Sequence, residues 1–220
     1  MIELPDFARA FDYENNFYLA CAPSRIGKAM AHFELFKMSL KAKGDIVECG
    51  VFKGASLARF AAFRSLFDPD GSRKIIGFDI FGTFPETEFS ADRQPRQDFV
   101  KSAGSESISR DQMMEVLRAK QCDGNVELVA GNICETVPRY VNQNPSLKIA
   151  LLNLDTDIYE PAVTILEHLY PRVQPGGVLI LDDYGVFPGE TKAVDDYFAG
   201  QSVEIHHFPF TTTPHYIVKQ

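Results

Sequence analysis

Residues 149–185 read IALLNLDTDIYEPAVTILEHLYPRVQPGGVLILDDYG, and their pattern decides the fold. Ile149–Leu154 is an almost unbroken apolar run ending at Asp155, which predicts a strand buried on both faces. Pro161 to Arg172 has helical character, with the proline acceptable in the first turn. Pro175-Gly176-Gly177 predicts a turn, and Val178–Leu181 a second buried strand that again ends on acids, Asp182 and Asp183. Strand, helix and strand in this order make a βαβ unit, so the two strands are expected to run parallel.

The same alternation extends backwards. Apolar positions Ile26, Met30, Phe33, Phe36 and Leu40 predict a helix from Arg25 to about Ala42, with Ser24 as its N-cap. Lys43-Gly44 turns into a strand over Asp45–Gly50. Ala55–Phe67 is a helix, Asp68-Pro69-Asp70-Gly71 a turn and Lys74–Asp79 the second strand. From Phe81 to Ser109 the pattern breaks into a polar stretch without sustained period, read as an irregular lid insert over 81–109. A helix over Arg110–Lys120 and a strand over Val126–Val129 come next. Beyond residue 185 lie a helix over Glu190–Phe198 and two late strands, near Val203–His206 and Tyr216–Val218. Those last two lack a helix between them and are expected to form an antiparallel pair at one edge. The whole predicts one α/β domain over 1–220, with 1–43 as an N-terminal helical cap. Its core would be a doubly wound, Rossmann-like seven-stranded sheet, mostly parallel with an antiparallel edge and helices on both faces.

Bulk properties narrow the partners. A chain of 220 residues suits one domain, and a net charge of -8 repels phosphate backbones and anionic membrane surfaces. Nucleic acid and membrane are therefore not expected partners. The opening MIELPDFARAFDYENNFYLA carries early acids and no continuous apolar stretch, and no run is long enough to span a bilayer. The expected location is cytoplasmic. Cys21, Cys49, Cys122 and Cys134 form no close pair and are expected to be free thiols.

Two corners carry the chemistry. The first strand runs into Glu48-Cys49-Gly50-Val51-Phe52-Lys53-Gly54-Ala55-Ser56 and then a helix, where free backbone N–H groups can meet a polar ligand. Its GxxxG spacing is neither the dinucleotide GxGxxG nor a Walker loop. Asp79, ending the second strand, is placed to accept hydrogen bonds from a ribose diol. The second corner gathers Asp155, Asp182 and Asp183, because C-terminal strand ends share one edge of such a sheet. Carboxylates that close repel unless protonated or neutralised, and hard oxygen donors suit Mg²⁺ or another divalent ion. The alternative is that one acid of each pair caps the next helix or turn, Asp157 being a fair candidate and Asp183 a weaker one.

Taken together, IVECGVFKGASL, GFDIFGTFP and LNLDTDIYEPAVTILEHLYPRVQPGGVLILDDYG resemble the macrocin O-methyltransferase (TylF/MycF-like) family of sugar O-methyltransferases, over about residues 25–198. Three motifs depart from the family's usual form: DSFEGLP is DIFGTFP here, the glycine of LDGD is Thr156, and YES is Tyr159-Glu160-Pro161. The resemblance implies S-adenosylmethionine as methyl donor, held by Glu48, Gly50, Val51, Phe52, Gly54, Ser56, Asp79, Gly131 and Asn132. It implies Mg²⁺ on Asp155, Asp182 and Asp183, and a hydroxyl of a sugar or sugar-containing natural product or polysaccharide precursor as acceptor. Asp155 is the expected general base, with Asp157, His206, His207 and His215 as rivals. A catechol-like diol as acceptor, or a metal-dependent hydroxylase or hydrolase-like relative on the same sheet, are the alternative readings. A second copy of the chain is left open as a partner.

Overall fold

The computed structural model describes residues 2–68 and 70–220; Pro69 of the expected turn and Met1 lie outside the described residues. Seven strands form one sheet: β1 Asp45–Cys49, β2 Ile75–Asp79, β3 Val126–Ala130, β4 Ile149–Leu154, β5 Val173–Leu181, β6 His206–His207 and β7 His215–Val218. Their order is β3-β2-β1-β4-β5-β7-β6. β1 to β5 pair in parallel, and β7 pairs antiparallel with both β5 and β6. This is the expected doubly wound sheet with an antiparallel edge.

Alternation along the strands splits the core into two faces. Val47, Phe78, Leu152 and Leu179 pack with α6 (Ile133–Gln143), α7 (Tyr159–His168) and α8 (Pro188–Phe198). Ile46, Leu151, Val178 and Ile180 pack with α2 (Pro23–Ser39), α3 (Ala55–Phe67) and α5 (Arg110–Ala119). The residues read as an N-terminal cap therefore divide: α2 buries Ala31, His32, Leu35 and Phe36 in the core, whereas α1 (Ala10–Ala20) buries none.

Several elements differ from expectation, each for a physical reason. α2 starts earlier, because Pro23 can open a helix and Ala22, not Ser24, takes the cap position. Segment 81–109 is not irregular: it holds a 3-10 turn at Ser90–Asp92 and α4 (Arg93–Ala103). α4 buries only Arg96, so it has no apolar stripe to read. α6 was not expected, because Pro138 interrupts its sequence. The side chains of Ile133, Val137, Tyr140 and Val141 are buried along one face and outweigh the missing N–H. β5 begins at Val173 and runs straight through Pro175-Gly176-Gly177, with a register shift against β4 where a turn was expected. α7 ends at His168 and gives way to a 3-10 turn at Tyr170–Arg172. The first late strand shrinks to His206–His207.

Candidate active site

The strand order reverses direction at β1, whose neighbours are β2 and β4. At that switch point, outside the strands' C-terminal ends, lies a cavity of about 830 Å³. Gly50, Val51, Phe52 and Ser56 line one flank, and Asp155, Asp182 and Asp183 another, so both expected corners open into one space. Gly50 makes the approach of β1 to β4 possible. Its φ is +95°, and a Cβ there would lie 1.6 Å from the Asp155 carbonyl oxygen.

Asp79 organises the glycine corner. Val51 N and Phe52 N donate to its Oδ2 at 2.8 and 3.0 Å, while Phe81 N and the Ser107 hydroxyl donate to Oδ1 at 2.5 and 3.0 Å. Four internal donors occupy a carboxylate that has about four acceptor positions. Asp79 lines the cavity, but its first role is to brace the β1 loop, and a ribose hydroxyl would have to share or displace one of these bonds. Gly131 and Asn132 line the same cavity; Asn132 Oδ1 accepts from Cys134 N and caps α6. Two expected donor-binding residues do not line it. Gly54 caps α3 in a left-handed conformation (φ +82°) above Met113, whose sulfur would lie 2.5 Å from any Cβ. Glu48 is wholly buried beneath the loop, bonded to the Ser56 hydroxyl at 2.7 Å.

The acidic corner forms because the parallel ladder continues past the strand ends. Asp155 N donates to Cys49 O and Asp182 N to Leu154 O, both at 3.0 Å. One carboxylate oxygen from each of Asp155, Asp182 and Asp183 lies within 4.8 Å of the others. Burial and the neighbouring Asp182 push Asp155 well above the usual carboxylate range. Burial and Asp157 do the same to Asp183. Asp157, at φ +63°, is pushed up to about 7 by burial and then by Asp155. Asp182 goes the other way. Burial opposes its ionisation, but the hydrogen bond from His32 and the charge of Lys28 outweigh it and hold the carboxyl below its ordinary value. Three convergent hard-oxygen donors that cannot all ionise without a cation are a donor set that fits a divalent ion.

Three residues on helices complete the site and were missed by sequence reasoning. The Lys28 ammonium of α2 sits directly on Asp182 Oδ2. One helical turn on, His32 Nε2 lies 3.1 Å from Asp182 Oδ1, its side chain fully buried and stacked on Phe60 at 5.2 Å. On the other side of that ring, Arg59 of α3 donates to His32 Nδ1 at 2.9 Å. A guanidinium can only donate, so Nδ1 accepts and Nε2 carries the proton given to Asp182. Burial, the largest influence, lowers the His32 pKa and keeps this ring neutral. The only available signal was the i, i+4 spacing of Lys28 and His32, which shows a shared helix face without saying what it meets. Of the rival bases, Asp157 lines the cavity, whereas His206, His207 and His215 lie on the antiparallel edge pair and do not.

Segment 81–109 forms the cavity's outer wall and is tied down at its centre. Asp92 accepts from Tyr159 N at 2.9 Å and from Gly189 N at 2.7 Å, capping the first turns of α7 and α8 together. Glu160 accepts from Glu88 N and Phe89 N. Phe99 of α4 packs against Phe52, Phe84 and Phe187 at 5.3, 5.7 and 6.3 Å, and all four rings line the cavity.

A family model described as macrocin-O-methyltransferase (TylF) matches residues 26–210. The chain is 31% identical over 159 residues to the 8-demethyl-8-(2,3-dimethoxy-alpha-L-rhamnosyl)-tetracenomycin-C 4'-O-methyltransferase of Streptomyces olivaceus, a match covering 70% of this chain and 58% of that one. It is 30% identical over 163 residues to the demethyldecarbamoylnovobiocin O-methyltransferase of Streptomyces niveus, covering 71% and 58%. The chain thus spans less than two thirds of the length of these relatives. The crystal structure of CalS11, a calicheamicin methyltransferase, superposes with a TM-score of 0.79 at 28% identity, covering 94% of this chain and 84% of that one.

Proposed function

The chain belongs to the macrocin O-methyltransferase family, and from that premise we propose that it methylates a hydroxyl of a sugar or sugar-containing small molecule, with S-adenosylmethionine as methyl donor and Mg²⁺ as the assisting ion. The observation that carries the reading is the single cavity shared by the glycine corner and the acidic trio. The tetracenomycin and novobiocin relatives are named as O-methyltransferases of natural products, the first at a rhamnosyl-bearing one, which supports a sugar-type acceptor here. A cytoplasmic setting suits a chain whose four cysteines are all free.

When bound, the donor supplies an electrophilic methyl group and the divalent ion supplies Lewis acidity that lowers the acceptor hydroxyl's pKa. The chain's residues would do the rest. Gly50 and the loop after it leave backbone space at the donor side, and Gly131 and Asn132 close the same cavity over β3. Asp155, Asp182 and Asp183 would hold the ion. Asp155 stands at the junction of the two corners, its backbone against Gly50 and its carboxyl among the trio, which supports it as the group that would take the hydroxyl proton. Asp182 is held still by His32 and Lys28, so it is fixed before any ligand arrives. The aromatic side formed by Phe52, Phe84, Phe99 and Phe187 excludes water and offers an apolar surface to the remainder of the acceptor.

Calorimetry with S-adenosylhomocysteine tests the donor site directly, and micromolar binding is expected. No heat and no thermal shift would refute it. Asp155→Asn and Asp182→Asn, assayed on a panel of deoxysugar glycosides, test the rest: both are expected to lose turnover at least a hundredfold. Wild-type turnover by both variants in the presence of chelator would remove the metal and the base together.

A further inference from the structure

Lys28 is the only lysine or arginine ion-paired to the acidic trio among the described residues. Its ammonium contacts Asp182 Oδ2, and the charges of Asp155 and Asp183 add to the attraction that holds it there. The Asp182 side chain has no exposed surface, while that of Lys28 keeps 23% and lines the cavity. Geometrically this is an uneven pair. One partner is fixed, by His32 on its second oxygen, and the other is a flexible stem on the rim of an open space. Three ionised carboxylates need positive charge to coexist, and in this structure the single ammonium compensates the one it touches, Asp182.

We infer that Lys28 sits in the seat of the divalent ion, and that metal binding is an exchange in which the ion displaces the Lys28 ammonium from Asp182. The inference rests on the reading of Asp155, Asp182 and Asp183 as a cation site and adds to it a competitor built into α2. Asp182 has two oxygens. His32 Nε2–H holds Oδ1 and Lys28 holds Oδ2, so an ion drawn to Oδ2 would stand beside a like-charged ammonium, and their repulsion drives the lysine out. The cavity gives the side chain room to swing out without moving α2, whose packing through Leu35 and Phe36 stays in place. The exchange keeps the trio compensated when the ion is absent and lets the ion bind without leaving a buried carboxylate unpaired in between. It also makes the ion's affinity a property of α2 as well as of its three ligands.

Titration of the chelator-treated protein with Mn²⁺, followed by calorimetry or by the paramagnetic resonance of the free ion, is the test, and it requires neither acceptor nor turnover. Lys28→Met is expected to bind Mn²⁺ at least tenfold more tightly than wild type, and Lys28→Arg to stay close to wild type. Equal or weaker binding by Lys28→Met, with wild type binding normally, overturns the exchange while leaving the cation site intact. Absence of binding by all three proteins overturns the exchange and the cation site together. A second measurement uses wild type alone, in case the methionine variant fails to fold. Acetylation of Lys28 by an activated ester, read by mass spectrometry, should rise several-fold on saturation with Mn²⁺ as the ammonium is released. A lysine that merely anchors α2 would show unchanged labelling, and that result refutes the exchange.

Discussion

Glu48→Gln is the sharpest probe of how charge is arranged beneath the cavity. Glu48 of β1 stands beside Asn153 of β4 in the parallel ladder, on the sheet face covered by α2 and α3. Its Oε1 accepts from the Ser56 hydroxyl, while its Oε2 and both polar atoms of Asn153 have no partner. Burial pushes the Glu48 carboxyl up to about 8, with Asp182 and Asp79 adding to the effect and the Ser56 bond and Arg59 opposing it. The folded protein therefore holds a proton on Glu48 at neutral pH, whereas the unfolded chain, near 4.5, does not. The resulting contribution to stability is complete below the unfolded value and is lost as pH rises through the folded one. Between about pH 5.5 and about pH 8.5 one such group costs the wild type about 3 kcal/mol. Glutamine keeps the acceptor for Ser56 and cannot ionise. The stability of Glu48→Gln relative to wild type should therefore rise by about 3 kcal/mol across that interval, every other titrating group being common to both proteins. Urea denaturation of chelator-treated protein at the two pH values measures the difference. A change below about 1 kcal/mol, or one of opposite sign, would mean that Glu48 is ionised in the fold and would refute the argument.

Replacing His32 with leucine leaves Asp182 Oδ1 and the Arg59 guanidinium without their shared partner, and should cost about 2–4 kcal/mol in denaturant unfolding; an unchanged midpoint would mean that water replaces the ring. Asp92→Ala removes the common cap of α7 and α8 and should cost about 2–4 kcal/mol, with new proteolytic cleavage inside residues 81–109. Cleavage elsewhere first would show that the segment is held by other contacts. Gly50→Ala places a methyl group against the Asp155 carbonyl and should abolish S-adenosylhomocysteine binding in calorimetry, with a lowered melting temperature; retained affinity would show that the corner is not the donor site.

The inner strands were legible because burial on both faces leaves them nearly free of polar residues, as in Ile149–Leu154, and because β1 to β5 each end on, or run into, an acid or a glycine. Strand-end chemistry was legible for the same reason: register alone brings Asp155 and Asp182 to adjacent positions once β4 and β5 pair. The features that stayed hidden required tertiary contacts. α6 carries a proline that its buried face overrides, and α4 has almost no buried face at all. Lys28 and His32 reach Asp182 across 154 and 150 residues of chain. No pattern within α2 records that it crosses β5 at that point. The carboxylates of the site are thus written into the sheet, whereas the charges that govern them come from helices whose placement only the packed core fixes. Substitutions along the buried face of α2, such as at Leu35 or Phe36, should therefore alter the acidic corner without touching it, because they shift the helix that carries both of Asp182's partners.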